Sequence, residues 1–163
     1  VEQYMLAALD ASNLLSIKET ELPDGIARLQ QEKKELGERL TECTGKLLEY
    51  RIEEMKAHPA TTEAGHAKFV FLESDMTPKE AKALAKHLGE IPEAFSAIFY
   101  QNGERLNYMF LATDGAAVNC QQVIRTVNEA FGGRGGGRPE SCQGSAICPA
   151  DWREKAEALM SAL

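Results

Sequence analysis

Hydrophobic residues change their period along this chain, and the changes mark out its organisation. Residues 1–15 (VEQYMLAALDASNLL) place Met5, Ala8, Leu9, Leu14 and Leu15 on a broad apolar stripe, which predicts a helix. Pro23 and Asp24 then mark the start of a second, much longer helix. From Ile26 the spacing alternates three and four through Leu29, Lys33, Leu36, Leu40, Cys43, Leu47 and Tyr50. These are a and d positions of a heptad repeat, with Lys33 the one clear violation and charged runs such as QQEKKE between them. Such a seam needs a cover. The first helix folded back as an antiparallel hairpin would supply one, a second subunit another, and ordinary packing within the chain a third. The long helix should end near His58-Pro59, because a residue before proline avoids the α conformation.

After a linker at 60–66 (ATTEAGH) the period shortens. Residues 68–73 (KFVFLE) are aromatic and β-branched, and predict a strand. Thr77, Pro78 and Glu80 form a capping box with proline at the first helical position, opening a helix that runs to about Leu88 and stops at Gly89. Segments 95–101 and 106–112 flank Asn102-Gly103, a hairpin signal. A helix at 120–130 presents Val123, Ile124 and Val127, with Phe131 at its end. A short amphipathic helix at 151–163 carries Trp152, Ala156, Leu159 and Met160. The expected fold class is therefore α+β: a helical, coiled-coil-like arm over 1–59, then a β-α-β-β-α-loop-α domain over 67–163. Phe69, Phe71, Phe99, Tyr100, Tyr108 and Phe110 fall on strands. Most should be core, since one sheet face must pack on helices.

Residues 131–146 (FGGRGGGRPESCQGSA) follow neither period. Glycine lets backbone approach backbone, phosphate or sugar closely. Successive N–H groups can form an anion nest, and Arg134 and Arg138 add fork-shaped donors suited to phosphate. Tight packing against the sheet and a flexible linker are the other readings of such a run. A dinucleotide fingerprint does not fit, because these glycines follow a helix and no βαβ unit frames them. A P-loop is excluded by the missing Gly-Lys-Ser/Thr.

Charge narrows this further. The net charge is −7, and residues 1–60 hold 8 Lys and Arg against 12 Asp and Glu, while 61–163 hold 10 against 13. Neither part is a polybasic module, so any nucleic-acid contact must be local. The one basic stretch is 116–139, where Arg125, Arg134 and Arg138 face only Glu129. Cys43, Cys120, Cys142 and Cys148 are widely spaced and unaccompanied by a secretory signal, which reads as a reducing, cytoplasmic setting. No apolar run reaches the length of a membrane span. The chain opens at Val1 without methionine, within a helical pattern, and reads as part of a longer protein.

Catalytic chemistry finds little support. His58, His66 and His87 are isolated, and no cysteine pair has zinc-site spacing: five residues separate Cys142 from Cys148. Glu73 and Asp75 flank a strand-to-helix loop rather than forming an acid–base dyad. Cys142 reads as a packed or merely exposed thiol rather than a reactive one. Neither a catalytic residue nor a metal ligand is assigned.

The glycine segment resembles the signature of the DHHA1 domain, found at the C-terminus of alanyl-tRNA synthetases and long AlaX-type alanyl-tRNA editing proteins. Gly132, Gly133, Arg134, Gly135, Gly136, Gly137, Arg138, Pro139, Gln143 and Gly144 fall on the family pattern, whereas Glu140, Cys142 and Ser145-Ala146 depart from it. Residues 15–36 (LSIKETELPDGIARLQQEKKEL) are similar to the family's segment after the editing domain. The resemblance implies a module that grips tRNA(Ala) through these ten residues, to which the basic stretch adds Arg125, and dimerises through its helical arm. It also implies a parent that hydrolyses misacylated tRNA at a zinc site N-terminal to Val1, with no cofactor in the present chain. The alternative is the substrate-binding domain of a DHH phosphoesterase acting on oligonucleotides or phosphorylated nucleotides. There a histidine usually follows the glycines; here Arg138-Pro139 stands instead, and no Asp-His-His motif lies upstream.

Overall fold

A computed structural model describes residues 1–163. Contacts within the chain divide into two units, Val1–Lys46 and Leu47–Leu163. In the first, α1 (Glu2–Leu15) stops at Ser16, which adopts the left-handed conformation at φ 54 and ψ 40. A single 3-10 turn at Glu19–Glu21 leads into α2 (Leu22–Ala57), a helix of 36 residues. The bend closes on Gly25, where a Cβ would come 2.4 Å from Ile17 Cδ1. Past that point Ile26, Leu29, Leu36 and Leu40 are all exposed. The hairpin cover offered by the sequence does not form along the seam, because α1 turns onto α2 only at its beginning.

In the second unit the last turns of α2 present a different stripe. Leu48 and Ile52 are buried and Met55 half-buried, while Leu47 and Tyr50 remain exposed. The helix ends at Ala57, before His58-Pro59 as expected. The segment 60–66 is not wholly linker: β1 (Ala60–Thr61) pairs with β2 (Ala67–Glu73). A crossover through α3 (Pro78–Leu88) makes β3 (Ala94–Asn102) parallel to β2. The capping box is present as predicted, with Thr77 Oγ1 accepting from Glu80 N–H at 3.3 Å and Glu80 Oε2 accepting from Thr77 N–H at 2.8 Å. β4 (Arg105–Ala112) returns antiparallel to β3, with Asn102 paired to Arg105. The two linking residues are thus Gly103-Glu104, with Gly103 at φ 61, one place beyond the expected Asn102-Gly103.

The largest departure concerns the glycine segment. The sequence predicts a loop, whereas residues 134–147 form a β-hairpin of β5 (Arg134–Arg138) and β6 (Ser141–Ile147). Pro139-Glu140 is its turn. The six strands run β1-β2-β3-β4-β6-β5, so β6 pairs with β4 and β5 is an edge. Helix α4 (Cys120–Phe131) precedes the hairpin and α5 (Trp152–Ser161) follows it.

Helices pack on both faces of the central strands β3 and β4. Alternate residues Phe95, Ala97 and Phe99 of β3 join Leu106, Tyr108, Phe110, Cys142 and Ala146 beneath α4 and α5. Ala94, Ile98 and Tyr100 face the other way and meet α3 and the end of α2 with Phe69 and Phe71. Phe69, Phe71, Phe99, Tyr100, Tyr108 and Phe110 are all buried, in keeping with a core role for the strand aromatics. Each contributes roughly 1.5–3 kcal/mol by leaving water. Phe99 meets Phe110 edge-on, with centroids 5.5 Å apart and planes at 73°. The buried Lys68 ammonium donates to Met160 O at 2.7 Å, placing a positive charge at the C-terminal end of α5.

Candidate nucleic-acid interface

The hairpin exists because of what lies behind it. Tyr108, on the α4 side of β4, sends its ring beneath the hairpin: a Cβ on Gly133 would lie 2.1 Å from its hydroxyl, and one on Gly144 2.5 Å from its Cε2. The Tyr108 hydroxyl donates to Asn128 Oδ1 at 2.5 Å. Asn128 in turn donates from Nδ2 to Gly135 O at 3.3 Å, and its backbone carbonyl accepts from Gly133 N–H at 2.9 Å. Nearer the start of α4, Gln121 donates to Gly137 O at 2.9 Å. Two side-chain amides of α4 therefore hold the carbonyls of the edge strand. Gly132 ends α4 in the left-handed conformation at φ 62, which sends the chain back into β5.

Most of the glycines are thus required for backbone packing. A Cβ at Gly135 would lie 2.3 Å from Gln143 O, and one at Gly137, whose φ is 156, would lie 2.3 Å from Ser141 O. Of Gly133, Gly135, Gly136 and Gly137, only Gly136 has open space around its Cβ position. The sequence reading of a phosphate nest gives way here to a glycine strand pressed against its neighbour.

What the hairpin presents is its other face. Helices α2 and α3 reach only as far as Met109 and Leu111 of β4, so β6 and β5 have no helix over this side. Strand alternation and register put Arg134, Gly136 and Arg138 of β5 there, beside Ser145, Gln143 and Ser141 of β6. Arg134 and Arg138 are both exposed, and Arg138 lies 3.9 Å from Glu140. A shallow depression here is lined by the side chains of Asn107, Met109, Arg134, Gln143 and Ser145, with the buried Tyr100 and Tyr108 and the glycines Gly135 and Gly144 also bordering it. Arg125 is exposed on α4, on the opposite side of the sheet, and shares a stripe with Gln121 and Asn128 along β5. Pro139 is exposed in the turn, and its carbonyl accepts from Cys120 N–H at 2.8 Å. Gly144 lies over the Tyr108 ring rather than toward the open face.

Sequence reasoning missed Asn128, Gln121 and Arg105. Arg105 Nη2 donates to Ser145 Oγ at 2.7 Å across 40 residues of chain, a contact that no local pattern announces. Cys142 is buried, and its Sγ contacts Arg138 O at 3.1 Å; burial first, and the Glu140 carboxylate second, push its thiol pKa up. No group of three or more His, Cys, Asp or Glu residues is placed to hold a metal ion. No helix is long and apolar enough to cross a membrane.

Residues 65–162 match the DHHA1 domain. The chain is 26% identical over 137 residues to the alanine–tRNA ligase of Methanoregula boonei, covering 84% of this chain and 14% of that protein. It is 28% identical over 191 aligned positions to the alanine–tRNA ligase of Corynebacterium jeikeium, covering 100% of this chain and 20% of the ligase. The chain thus spans a fifth or less of the length of these relatives. Among solved structures, the C-Ala domain of Aquifex aeolicus alanyl-tRNA synthetase superposes with a TM-score of 0.52 at 25% identity, over 60% of this chain and 91% of that domain. The match to the family runs from the β1–β2 turn through α5 and includes the whole glycine hairpin with the helix that holds it, so the chain belongs to the DHHA1 domain family.

Proposed function

We propose that this chain is a tRNA-binding module that docks tRNA(Ala) on the open β6–β5 half of its sheet. The supporting observation is the glycine hairpin: its backbone is committed to packing on Tyr108 and α4, while Arg134 and Arg138 project from the uncovered face. Phosphate contacts fix register and orientation and need no sequence-reading groups. Arg125 extends the basic surface past the edge strand. Gly132, Gly133, Gly135, Gly137 and Gly144 serve binding indirectly by shaping the hairpin; Gly136, Gln143 and Pro139 lie where RNA would pass.

The relatives are alanine–tRNA ligases, which supports the tRNA reading over the phosphoesterase alternative. The parent would be a synthetase relative or an alanyl-tRNA editing protein working in the cytoplasm. Its zinc-dependent hydrolytic site would lie outside this chain. The exposed a and d positions of α2 would pair with a second copy, giving a homodimer. Filter retention of labelled tRNA, challenged with excess mononucleotide, tests the assignment. Retention that resists the challenge is expected. No retention at low salt would contradict the reading, and displacement by mononucleotide would favour the phosphoesterase type.

A further inference from the structure

The motif residues do not account for the whole open face. Arg105 begins β4, outside the glycine segment, and its guanidinium reaches across to Ser145 Oγ at 2.7 Å. Ser145 is the register partner of Asn107 on one side and of Arg134 on the other. Asn107, Ser145 and Arg134 therefore form one row over three strands spaced about 4.8 Å apart. All three border the same depression. Arg105 approaches Ser145 from the β4 side, and Arg134 stands next to it on β5.

Neither guanidinium has a carboxylate partner. The ion pairs of the chain involve Lys46, Arg51, Lys56, Arg138 and Lys155 instead. In a chain of net charge −7, two unpaired arginines flanking one hydroxyl form an anion site by composition and by position. Guanidinium forks match phosphate oxygens. The Ser145 hydroxyl accepts from Arg105, which leaves its own proton to donate, and the Asn107 and Gln143 amides border the same spot. Aromatic rings are not offered: Tyr100 and Tyr108 are both buried. Unstacked bases would find no ring to stack on, so the surface suits the backbone of folded RNA better than a splayed single strand.

We propose that Arg105, Ser145 and Arg134 form a phosphate subsite that holds one backbone phosphate of a folded RNA. The proposal rests on the RNA-binding reading and adds to it Arg105, outside the glycine segment, and Ser145, where the chain departs from the family pattern. It is tested on the full chain with Arg105→Gln and Ser145→Ala, using a tRNA transcript and inorganic phosphate as separate probes. Thermal unfolding serves as the check on folding. The expected result is tRNA affinity about tenfold weaker in Arg105→Gln at an unchanged unfolding midpoint, the scale of a single charge-assisted hydrogen bond to phosphate. Ser145→Ala should weaken tRNA binding by a smaller factor in the same direction. Phosphate should shift the Arg105 and Arg134 Nε–H resonances saturably in the parent chain, and not in Arg105→Gln. Unchanged tRNA affinity in Arg105→Gln, with weaker binding in Arg134→Ala and Arg138→Ala, would overturn the subsite and leave the RNA reading standing. Phosphate shifts without any tRNA binding would overturn RNA as the source and put a small phosphorylated ligand in its place.

Discussion

The Tyr108 hydroxyl donates to Asn128 Oδ1 at 2.5 Å, and this bond joins the sheet to helix α4. Tyr108 is fully buried, and its hydroxyl is satisfied by Asn128. Asn128 uses the same side chain to hold Gly135 O. Tyr108→Phe should lower stability by about 1–2 kcal/mol, and Asn128→Ala by about 2 kcal/mol because it strands a buried donor. Urea unfolding of both single variants and the double variant should show coupling, the pair costing less than the sum. Additive effects would mean that the bond contributes nothing as a unit.

The glycines of β5 should respond unequally to a methyl group. Gly135→Ala meets the Gln143 carbonyl at 2.3 Å and should destabilise by about 1–3 kcal/mol, the usual cost of overpacking. Gly136→Ala meets nothing and should be neutral or stabilising by up to about 1 kcal/mol. Equal destabilisation of the two variants in thermal unfolding would contradict the packing assigned to the hairpin.

Alkaline stability should follow Cys120. Burial, reinforced by Cys142 and Glu140, pushes its thiol from 9.0 up to about 12. The folded pKa lies above the unfolded one, so the contribution is complete below about pH 9 and is lost as pH rises toward 12. The slope contributed in that window is at most about 1.4 kcal/mol per pH unit. Cys120→Ala should reduce the slope of unfolding free energy against pH in that interval. Burial raises Tyr108 and Tyr100 as well, so some slope remains. An identical slope in parent and variant would contradict the burial of this thiol.

Thiol labelling separates the hairpin from the arm. Cys120 and Cys142 are buried, whereas Cys43 is exposed on the heptad seam of α2. Under native conditions Cys43 should react first, and Cys120 and Cys142 only on unfolding. If the arm pairs with a second copy, Cys43 labelling should slow as protein concentration rises. A concentration-independent rate would contradict pairing through that seam.

Elements fixed by neighbouring residues are legible in the sequence. The Thr77–Glu80 box starts α3 where local chemistry requires, and Pro59 sets the end of α2. The turn after β3 reads one residue early from sequence, because the positive φ belongs to Gly103 at the first linking position. Strand β5 is not legible at all. RGGGR has no β-branched or aromatic residue, and what makes it a strand is Gln121 and Asn128 of α4 together with the ladder to β6. The change of stripe on α2, from Leu40 to Leu48 and Ile52, likewise depends on β2 and α3 lying alongside. Arg134 and Arg138 are legible as exposed cations, yet the face they share with Arg105 depends on a strand order that local periodicity does not carry.

An acidic chain that binds tRNA through a few arginines on one open sheet face should reveal them in its salt dependence. The decisive experiment is the tRNA association constant followed against salt concentration for the parent chain and for Arg134→Ala combined with Arg138→Ala. If both arginines contact phosphates, removing them should weaken binding at every salt and make the slope of log K against log salt shallower by about 2. Equal affinity and equal slope in the two proteins would contradict binding through this face.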